Sequence, residues 1–372
     1  MNTLLSQEEL SSAKRLLFMS HLALGDFVYH GALLKALKKA YPNLEIDIWM
    51  DDCRDKKKKW HSERSSTLTS WVSKTDIAEV IFPIATGNND RDMLVRRASR
   101  RNYDIIFYLA STRIERFAYI ARSISSKAIL MGSSPSGFVN KIKSARYLRH
   151  VKRRFELNLH DSSTHIFDKY KRYYERCFGP LQIAESDKYG VGISLPQDSI
   201  DFVKQWCRNE KTDNFSPFVM INPISTSHKR DLNGDTLTHL IVSLLARNPS
   251  IHIVVNVPPS SIVGIKALIA PNLNKISDQQ KISIFSAEDD FYTLPALMVQ
   301  CDFIVTVETS VMHIAAVLNV PQLAIVRKKA KKWKPLRASE IYWCEGDIKD
   351  CDGADLASKA LESLSETLDA KN

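Results

Sequence analysis

The stretch from Thr306 to Pro321, TVETSVMHIAAVLNVP, constrains the fold more than any other part of the chain. It follows an apolar run at residues 301–305 and crowds four polar residues before an apolar helix pattern: Glu308, Thr309, Ser310 and His313. A strand that ends in polar residues and leads into a helix is typical of an open α/β sheet, where a helix N-terminus offers N–H groups to phosphate. The stretch predicts a nucleotide-diphosphate site. The alternative is that Thr309 or Ser310 only caps the helix and His313 packs inside.

The length of the chain predicts two domains, because 372 residues exceed what one ordinary core holds. The composition, 44% hydrophobic and 25% charged, is that of a globular protein. After Gly179 and Pro180, the polar residues 185–188 are typical of a linker. We therefore predict an N-terminal α/β domain over residues 1–187 and a C-terminal one over residues 188–372.

A βαβ unit is predicted at the start of the first domain. Residues 15–20 and 44–50 have the pattern of strands, and residues 27–41 have the apolar spacing of a helix. Gly25 and Asp26 occupy the first strand-to-helix turn, where doubly wound domains carry ligand chemistry. The turn lacks the GxGxxG spacing of a dinucleotide site. Asp26 has two interpretations: an N-terminal helix cap, or a general base.

The alternation of strands and helices continues in both halves. Strands are predicted at residues 77–84, 103–109, 128–132, 218–221 and 251–257, and helices at residues 114–124, 165–178, 237–245 and 294–300. The loop after the strand at 218–221 carries hydroxyls and cations: Ser225, Thr226, Ser227, Lys229 and Arg230. Such a loop suits a phosphate, and the alternative is a basic surface loop. We prefer the phosphate interpretation, because the 306–313 turn belongs to the same half-chain.

The net charge of +10 would attract a nucleic acid, an anionic membrane or a phosphorylated substrate. No nucleic-acid reading module is found, so nucleic acid is not an expected partner. The six cysteines show no CxxC and no zinc-ligand spacing, which indicates reduced cytosolic thiols and neither a metal site nor a disulfide framework. No stretch has the apolar core of a secretory signal or the roughly 20 apolar residues of a membrane span, so we expect any membrane contact to be peripheral.

Two basic segments have open interpretations. Residues 51–64 are predicted to form a solvated loop, and the alternative is contact of Lys56 to Lys59 and Trp60 with anionic head groups. Residues 138–155 carry basic side chains between aromatic ones, among them Arg149 and Arg153. A segment of this kind suits a membrane surface or an anionic acceptor, and equally a solvated helix face.

Several motifs together resemble one family. They are Ala23 to Asp26 with Tyr41-Pro42, Tyr103 to Ile106, Asn222-Pro223 with Lys229-Arg230, Val307 to Pro321, and Trp333-x-Pro335. The most specific of them, Val307 to Pro321, is similar to the signature Asp-Ser/Thr-Gly-x-x-His-x-Ala-Ala-x-x-x-x-Pro. Along nearly its whole length the chain resembles the bacterial heptosyltransferases, the glycosyltransferases of family 9 that build the inner core of lipopolysaccharide.

The resemblance implies a GT-B fold, an α/β fold of two Rossmann-like domains facing across a cleft, with the acceptor on the N-terminal domain. It implies inverting transfer of a heptose from ADP-heptose to the inner core on lipid A, without metal or cofactor. Asp26 would be the general base, with Gly25, Arg149 and Arg153 near the acceptor. The donor would be held by Ser225, Thr226, Ser227, Lys229, Glu308, Thr309, Ser310, Val311 and His313. The protein would be cytoplasmic, or peripheral at the cytoplasmic face of the anionic inner membrane.

The chain departs from the family pattern at residues close to the expected donor. The Asp of the signature is Glu308, its Gly is Ser310, and the Phe-Gly after the last strand is replaced by Val326-Arg327. Ser310 adds a side chain where a backbone normally approaches the ligand closely. These departures leave two alternatives open: another nucleotide sugar or glycan acceptor, or a GT-B protein that binds a nucleotide or glycan without turnover.

Overall fold

In a computed structural model of the protein, residues 3–54, 61–135, 145–159, 161–210, 217–273, 282–288 and 290–370 are described. The chain divides into two compact units, Met1–Val191 and Gly192–Asn372. The stretch that we interpreted as a linker is packed into the first unit as a 3-10 turn, Glu185–Asp187. Asp187 is 2% exposed and pairs with Lys35 at 2.9 Å. The stretch therefore packs on the first unit through Asp187, and the two compact units divide at Val191, close to the boundary predicted at residue 187.

The N-terminal unit is built on a parallel sheet of six strands. They are β1 Arg15–Ser20, β2 Glu45–Trp49, β3 Val80–Phe82, β4 Ile105–Leu109, β5 Ile129–Ser134 and β6 Arg153–Glu156. Across the sheet their order is β3-β2-β1-β4-β5-β6. The order reverses between β1 and β4, and ligands of doubly wound sheets bind at this reversal, beyond the carboxyl ends of the strands. The loops after β1 and β4 are therefore the expected ligand loops of this unit.

In the described part of the N-terminal unit, six α-helices with defined bounds accompany these strands. They are α1 Gln7–Ser12, α2 Leu24–Ala40, α3 His61–Ser73, α4 Asn88–Ser99, α5 Ile114–Ile124 and α6 Ile166–Phe178. Apolar runs make the central strands: all five residues of β4 are buried, as a parallel strand covered on both faces requires. Phe18, Phe107 and Tyr174 pack with ring centroids 5.2–5.8 Å apart. This aromatic core fixes α6 on the sheet close to the start of α2.

The C-terminal unit repeats the same topology. Its strands are β7 Phe218–Asn222, β8 His252–Asn256, β9 Ile282–Phe285, β10 Phe303–Val307, β11 Gln322–Arg327 and β12 Glu340–Cys344, in the order β12-β11-β10-β7-β8-β9. Its helices are α7 Gln197–Asn209, α8 Gly234–Arg247, α9 Ile262–Leu273, α10 Thr293–Met298, α11 Ser310–Leu318 and α12 Gly353–Asp369. The reversal here lies between β7 and β10. The two predicted donor segments, the loop at 222–230 and the turn at 306–313, follow these two strands.

The basic segment at 138–155 is only partly helical. Residues 145–148 are helical and its last residues begin the strand β6, and residues 136–144 lie outside the described part of the chain. Contact of this segment with a membrane or an anionic acceptor stays a prediction. Lys56 to Lys59 and Trp60, the alternative membrane contact, also lie outside the described part of the chain. Among the described residues, no helix combines the length and the apolar character that crossing a membrane would need.

Candidate active site

Asp26 lies in the first turn of α2, just beyond the carboxyl end of β1. The helix begins at Leu24, earlier than predicted, so Asp26 is its third residue and not the cap residue itself. The Asp26 Oδ2 accepts a hydrogen bond from the Ala23 N–H at 3.1 Å, and Oδ1 accepts one from the Tyr170 hydroxyl at 3.1 Å. The carboxylate thus satisfies a backbone donor at the helix start and is also held in a fixed orientation by a side chain of α6.

Burial raises the pKa of Asp26 to about 6, although the hydrogen bonds from Ala23 and Tyr170 and the charge of Arg64 lower it. An ordinary aspartate has a pKa of about 3.9. Asp26 is therefore a better proton acceptor than an exposed aspartate, and it is still ionised at neutral pH. These are the properties that a general base needs.

Tyr170 is a site residue that the sequence analysis missed. Its ring stacks on His30 at a centroid distance of 4.1 Å, and His30 Nδ1 lies 3.2 Å from the Tyr174 hydroxyl. Burial lowers the pKa of His30 to about 3, so His30 is neutral and adds no charge beside Asp26. The helix at 165–178 was predicted, but its apolar spacing gave no sign that one tyrosine of the packed face would reach Asp26.

A cationic cluster around Asp52 is the second feature that was missed. Asp52 follows β2, and its side chain is 1% exposed. Its Oδ2 lies 2.6 Å from Arg54 Nε, 3.7 Å from Arg64 Nη2 and 4.0 Å from Arg113 Nη2, and two histidines lie within 3.6 Å, His21 and His61. Burial lowers the pKa of His21 to about 4, so the histidine is neutral near pH 7. Among the described residues, three arginines around one carboxylate give the cluster an excess of positive charge.

The prediction of a solvated loop at residues 51–64 is therefore wrong for its first residues. Asp51, Asp52 and Cys53 are at most 1% exposed, and Asp51 accepts a hydrogen bond from Arg91 Nε at 2.6 Å. Ion pairs with arginines from other elements compensate the burial of both carboxylates. Cys53 and Arg113 have φ angles of 60° and 53°, in the left-handed region that non-glycine residues rarely adopt. Such backbone strain concentrates at functional sites.

The two arginines predicted to contact the acceptor, Arg149 and Arg153, do not lie in this cluster. Arg153 opens β6 and forms a bidentate ion pair with Glu9 at 2.5 and 2.7 Å. Glu9 belongs to α1, which precedes β1 and so lies toward the opposite end of the sheet from Asp26. Arg149 donates a hydrogen bond to His150. Of the predicted acceptor residues, the structure brings only Gly25, the neighbour of Asp26 in α2, to the base, and an acceptor contact of Arg149 or Arg153 stays a prediction.

In the C-terminal unit, Thr309 caps α11. Its hydroxyl accepts a hydrogen bond from the Val311 N–H at 3.1 Å, which is the cap that the sequence offered as an alternative. Asn222, at the end of β7, donates to the hydroxyls of Thr306 and Thr309 at 3.2 and 3.3 Å. A chain of hydrogen bonds thus joins the ends of β7 and β10. Capping does not exclude an anion here, because a helix N-terminus has several free N–H groups.

His313 and Val311 are buried in α11, at 4% and 6% exposure, and Ser310 is partly exposed. The buried position of His313 agrees with the alternative interpretation of this turn, in which Thr309 or Ser310 only caps the helix and His313 packs inside. His313, Val311 and Ser310 stay predicted donor contacts. Their position in the first turns of α11 is what the family resemblance implies for them.

Hydrogen bonds between its own polar groups stabilise the loop after β7. The Ser225 N–H donates to Asp231 at 2.6 Å, the Ser227 N–H donates to Ser225 Oγ at 3.0 Å, and Arg230 donates to Thr226 Oγ1 at 2.7 Å. Lys229 is exposed, and no ion pair of its ammonium occurs in the part of the chain that the structure describes. The loop therefore presents the exposed Lys229 ammonium from a backbone held by local hydrogen bonds, an arrangement suited to a phosphate.

Glu308 and Arg327, two departures from the family pattern, are partners. Arg327 Nε and Nη2 donate to the two oxygens of Glu308 at 2.9 and 2.7 Å, and Arg230 Nη1 lies 3.8 Å from the same carboxylate. Glu308 is 7% exposed. This bidentate pairing compensates the burial of the Glu308 carboxylate. The two substitutions therefore compensate each other at the adjacent ends of β10 and β11, and the predicted contact of Glu308 with the donor stays a prediction.

Comparison with solved structures shows the fold. The glycosyl transferase family 9 structure from Veillonella parvula matches with a TM-score of 0.71 at 14% identity, over 96% of this chain and 99% of that chain. The ADP-heptose LPS heptosyltransferase II of E. coli matches with a TM-score of 0.65 at 13% identity, over 95% and 99%. E. coli heptosyltransferase WaaC with ADP matches with a TM-score of 0.63 at 13% identity, over 94% and 99%. The fold is the GT-B type with two Rossmann-like units, as predicted.

Sequence comparison identifies the family. A search of curated protein sequences gives no significant match. The profile described as glycosyltransferase family 9 (heptosyltransferase) matches residues 138–352, which is more than half of the chain and includes both predicted donor segments. This confirms the resemblance inferred from the motifs. The chain belongs to glycosyltransferase family 9, the heptosyltransferase family, and is a glycosyltransferase.

Proposed function

We propose that the protein is an inverting, metal-independent heptosyltransferase that transfers a heptose from ADP-heptose to the inner core of lipopolysaccharide. The observation that carries the proposal is Asp26, a carboxylate with a pKa of about 6 beyond β1, in a chain of the heptosyltransferase family. Two of the matched structures are of E. coli heptosyltransferase WaaC, one with ADP and one with ADP-2-deoxy-2-fluoro heptose, which supports the choice of donor.

In this proposal, Asp26 takes the proton of the acceptor hydroxyl as its oxygen attacks the anomeric carbon. The bond from that carbon to the ADP oxygen breaks, and negative charge develops on the leaving diphosphate. Lys229, the hydroxyls of residues 225–227 and the N-terminus of α11 are the groups that stabilise this charge. Fixed donors aimed at developing charge lower the barrier, because they need no reorganisation during the reaction.

The cationic cluster around Asp52 supports an anionic acceptor. Its arginines lie beyond β2 and β4, on either side of the strand that leads to Asp26. The charge of Arg64 acts on both Asp52 and Asp26, which places the cluster beside the base. We assign to it the acidic groups of the lipopolysaccharide core, at the cytoplasmic face of the inner membrane. This replaces Arg149 and Arg153 as the first acceptor contacts to test.

Tyr170→Phe tests whether Asp26 is the group that titrates in the reaction. A base must be ionised, so kcat/KM rises with pH through about 6 and is lost below it. Removing the Tyr170 hydroxyl takes a hydrogen bond from the carboxylate and moves the rising limb upward by about one pH unit, since a bond to a charged group is worth about 1.5 kcal/mol. The pH profile of kcat/KM measures this shift.

Tyr174→Phe is the matched control, because Tyr174 lies on the same helix and contacts His30 instead of Asp26. Its pH profile should coincide with that of the wild type. Rates of Tyr170→Phe should recover at high pH, where Asp26 is ionised in both proteins. If the pH at which kcat/KM rises were the same in Tyr170→Phe as in the wild type, another group would set the pH dependence.

One observation favours an alternative in which the donor is a nucleotide sugar other than ADP-heptose. The Glu308–Arg327 pair stands where the family has a shorter carboxylate and a Phe-Gly, so the surroundings of the transferred sugar differ. A thermal-shift panel of ADP-heptose, ADP-glucose, UDP-glucose, GDP-mannose and ADP separates the possibilities. Binding to the folded state raises Tm by mass action. We expect the largest shift with ADP-heptose; a larger shift with a UDP or GDP sugar would replace the donor, and no shift would favour a protein without turnover.

A further inference from the structure

Cys344 and Cys351 bring two thiols together beside the predicted donor loop. Cys344 is the last residue of β12, and Cys351 immediately precedes Asp352, the cap residue of α12. Their Sγ atoms are 2.6 Å apart. A disulfide joins sulfurs about 2.05 Å apart, so forming the bond requires only a small movement of the side chains.

The backbone holds both cysteines at this separation. Cys344 pairs with Arg327 in the sheet register of β11 and β12. The carbonyl of Cys351 accepts a hydrogen bond from Thr236 Oγ1 of α8 at 2.9 Å, and its N–H donates to Ile348 at 3.1 Å. Gly353 packs so closely on α8 that a side chain there would meet the Thr236 carbonyl. The sulfur contact is therefore set by the fold of the C-terminal unit.

The segment between the cysteines, residues 345–350, contacts the loop that carries Lys229. The Ile348 N–H donates to the Lys229 carbonyl at 3.0 Å, and Ile348 is fully buried. Asp347 lies 3.3 Å from Lys329 Nζ and 4.0 Å from Arg327, the partner of Glu308. Constraining the 345–350 segment at both ends consequently constrains its hydrogen bond to the Lys229 backbone.

We propose that Cys344 and Cys351 are a modification site, a dithiol that a low-molecular-weight disulfide oxidises to an intramolecular disulfide, which holds the 345–350 segment against the Lys229 loop. The oxidant class is represented by oxidised glutathione. The Cys351 thiolate attacks one of its sulfurs, forms a mixed disulfide and releases one glutathione thiolate. Cys344 then loses its proton and attacks Cys351 Sγ, which releases the second glutathione. The protein loses two electrons and two protons, and oxidised glutathione gains both.

The two thiols are suited to different steps of this reaction. The hydrogen bond from the Cys344 thiol lowers the pKa of Cys351, and Cys351 is only half-buried. That same hydrogen bond, together with burial, raises the pKa of Cys344, which is 4% exposed. Since the thiolate is the attacking species, Cys351 reacts with the external disulfide and Cys344 resolves the intermediate.

Peptide mapping of the full chain after equilibration in glutathione buffers tests the proposal. In oxidising buffer we expect the wild type to give a 344–351 cross-link that dithiothreitol reverses. Cys344→Ser should stop at the glutathione adduct of Cys351, and Cys351→Ser should leave Cys344 unmodified. A stable glutathione adduct on wild-type Cys351, or free thiols at both positions in the most oxidising buffer, would overturn the proposal.

Hydrogen exchange of the wild type gives a second readout that needs no variant and no substrate. The Ile348 amide should exchange several-fold more slowly in the oxidised protein than in the reduced protein, because the closed loop opens less often. Amides of β4, in the other unit, should exchange equally in both forms. Equal exchange of Ile348 in the two forms would refute the constraint on the donor loop.

Discussion

Asp26→Asn should lower kcat by a factor on the order of 10³ and leave the affinity for the nucleotide sugar unchanged. The amide keeps the shape of the side chain and its acceptor oxygen, but it cannot take a proton from the acceptor hydroxyl. The hydrogen-bonded neighbours, Ala23 and Tyr170, remain in place. Single-turnover transfer measured beside donor binding by calorimetry separates the chemical step from binding.

Asp168→Asn is the matched control for this substitution. Asp168 is the third residue of α6, as Asp26 is of α2, and it is exposed. It loses the same charge at the same helix position, so its transfer rate should equal that of the wild type. If Asp26→Asn retained most of its activity, Asp26 would not be the base, whatever the effect of the control.

Lys229→Ala should weaken binding of ADP and of the donor by 10- to 100-fold, on the order of 2 kcal/mol, because a charge-assisted hydrogen bond to phosphate is lost. The substitution removes only the exposed side chain. The backbone carbonyl of residue 229, which accepts the Ile348 N–H, stays in place. The fold should therefore keep its stability. Calorimetric titration with ADP measures the change directly.

Lys266→Ala serves as its control, because Lys266 is an exposed lysine on α9 of the same unit. It removes the same charge from a helix of the same unit. Its ADP affinity should match the wild type. Equal affinities in Lys229→Ala and the wild type would remove Lys229 from the donor site and leave the α11 N-terminus as the main diphosphate contact.

The sequence predicts most of the central strands and helices because local patterns suffice for them. β1 and α5 have the bounds that their apolar runs and helical spacing indicate. β12 was missed because its residues are mostly half-exposed, so the run EIYWC lacks the uniform apolar character of a buried strand. β6 was missed because its two consecutive arginines, Arg153 and Arg154, were interpreted together with the rest of the basic segment at 138–155.

The parts of the candidate site that were predicted are those in which neighbouring residues of one segment carry the chemistry. The Gly25-Asp26 turn, the 225–230 loop and the 308–313 turn are each contiguous, so their chemistry is visible in the chain. Contacts between distant residues were not visible. Tyr170 lies 144 residues beyond Asp26, and Arg91 lies 40 residues beyond Asp51. A charge-rich segment is ordinarily exposed, and only tertiary ion pairs explain the burial of Asp51 and Asp52.

The pair formed by Glu308 and Arg327 shows how departures from a pattern gain meaning from the structure. Each was noted separately as a substitution near the donor. Val307 and Ile325 are neighbours in the register of β10 and β11, so the residues after them meet at one end of the sheet. The ion pair links the two departures into one feature of the predicted donor site, which is why the donor panel is required.

The release of ADP from ADP-heptose, in the presence of a truncated lipopolysaccharide acceptor, is the most direct test of the function. It is followed from about pH 5 to about pH 8 with wild-type protein and Asp26→Asn. The account predicts acceptor-dependent release that rises with pH through about 6 in the wild type and is nearly absent in the variant. Acceptor-dependent release that persists in Asp26→Asn with an unchanged pH profile would contradict it.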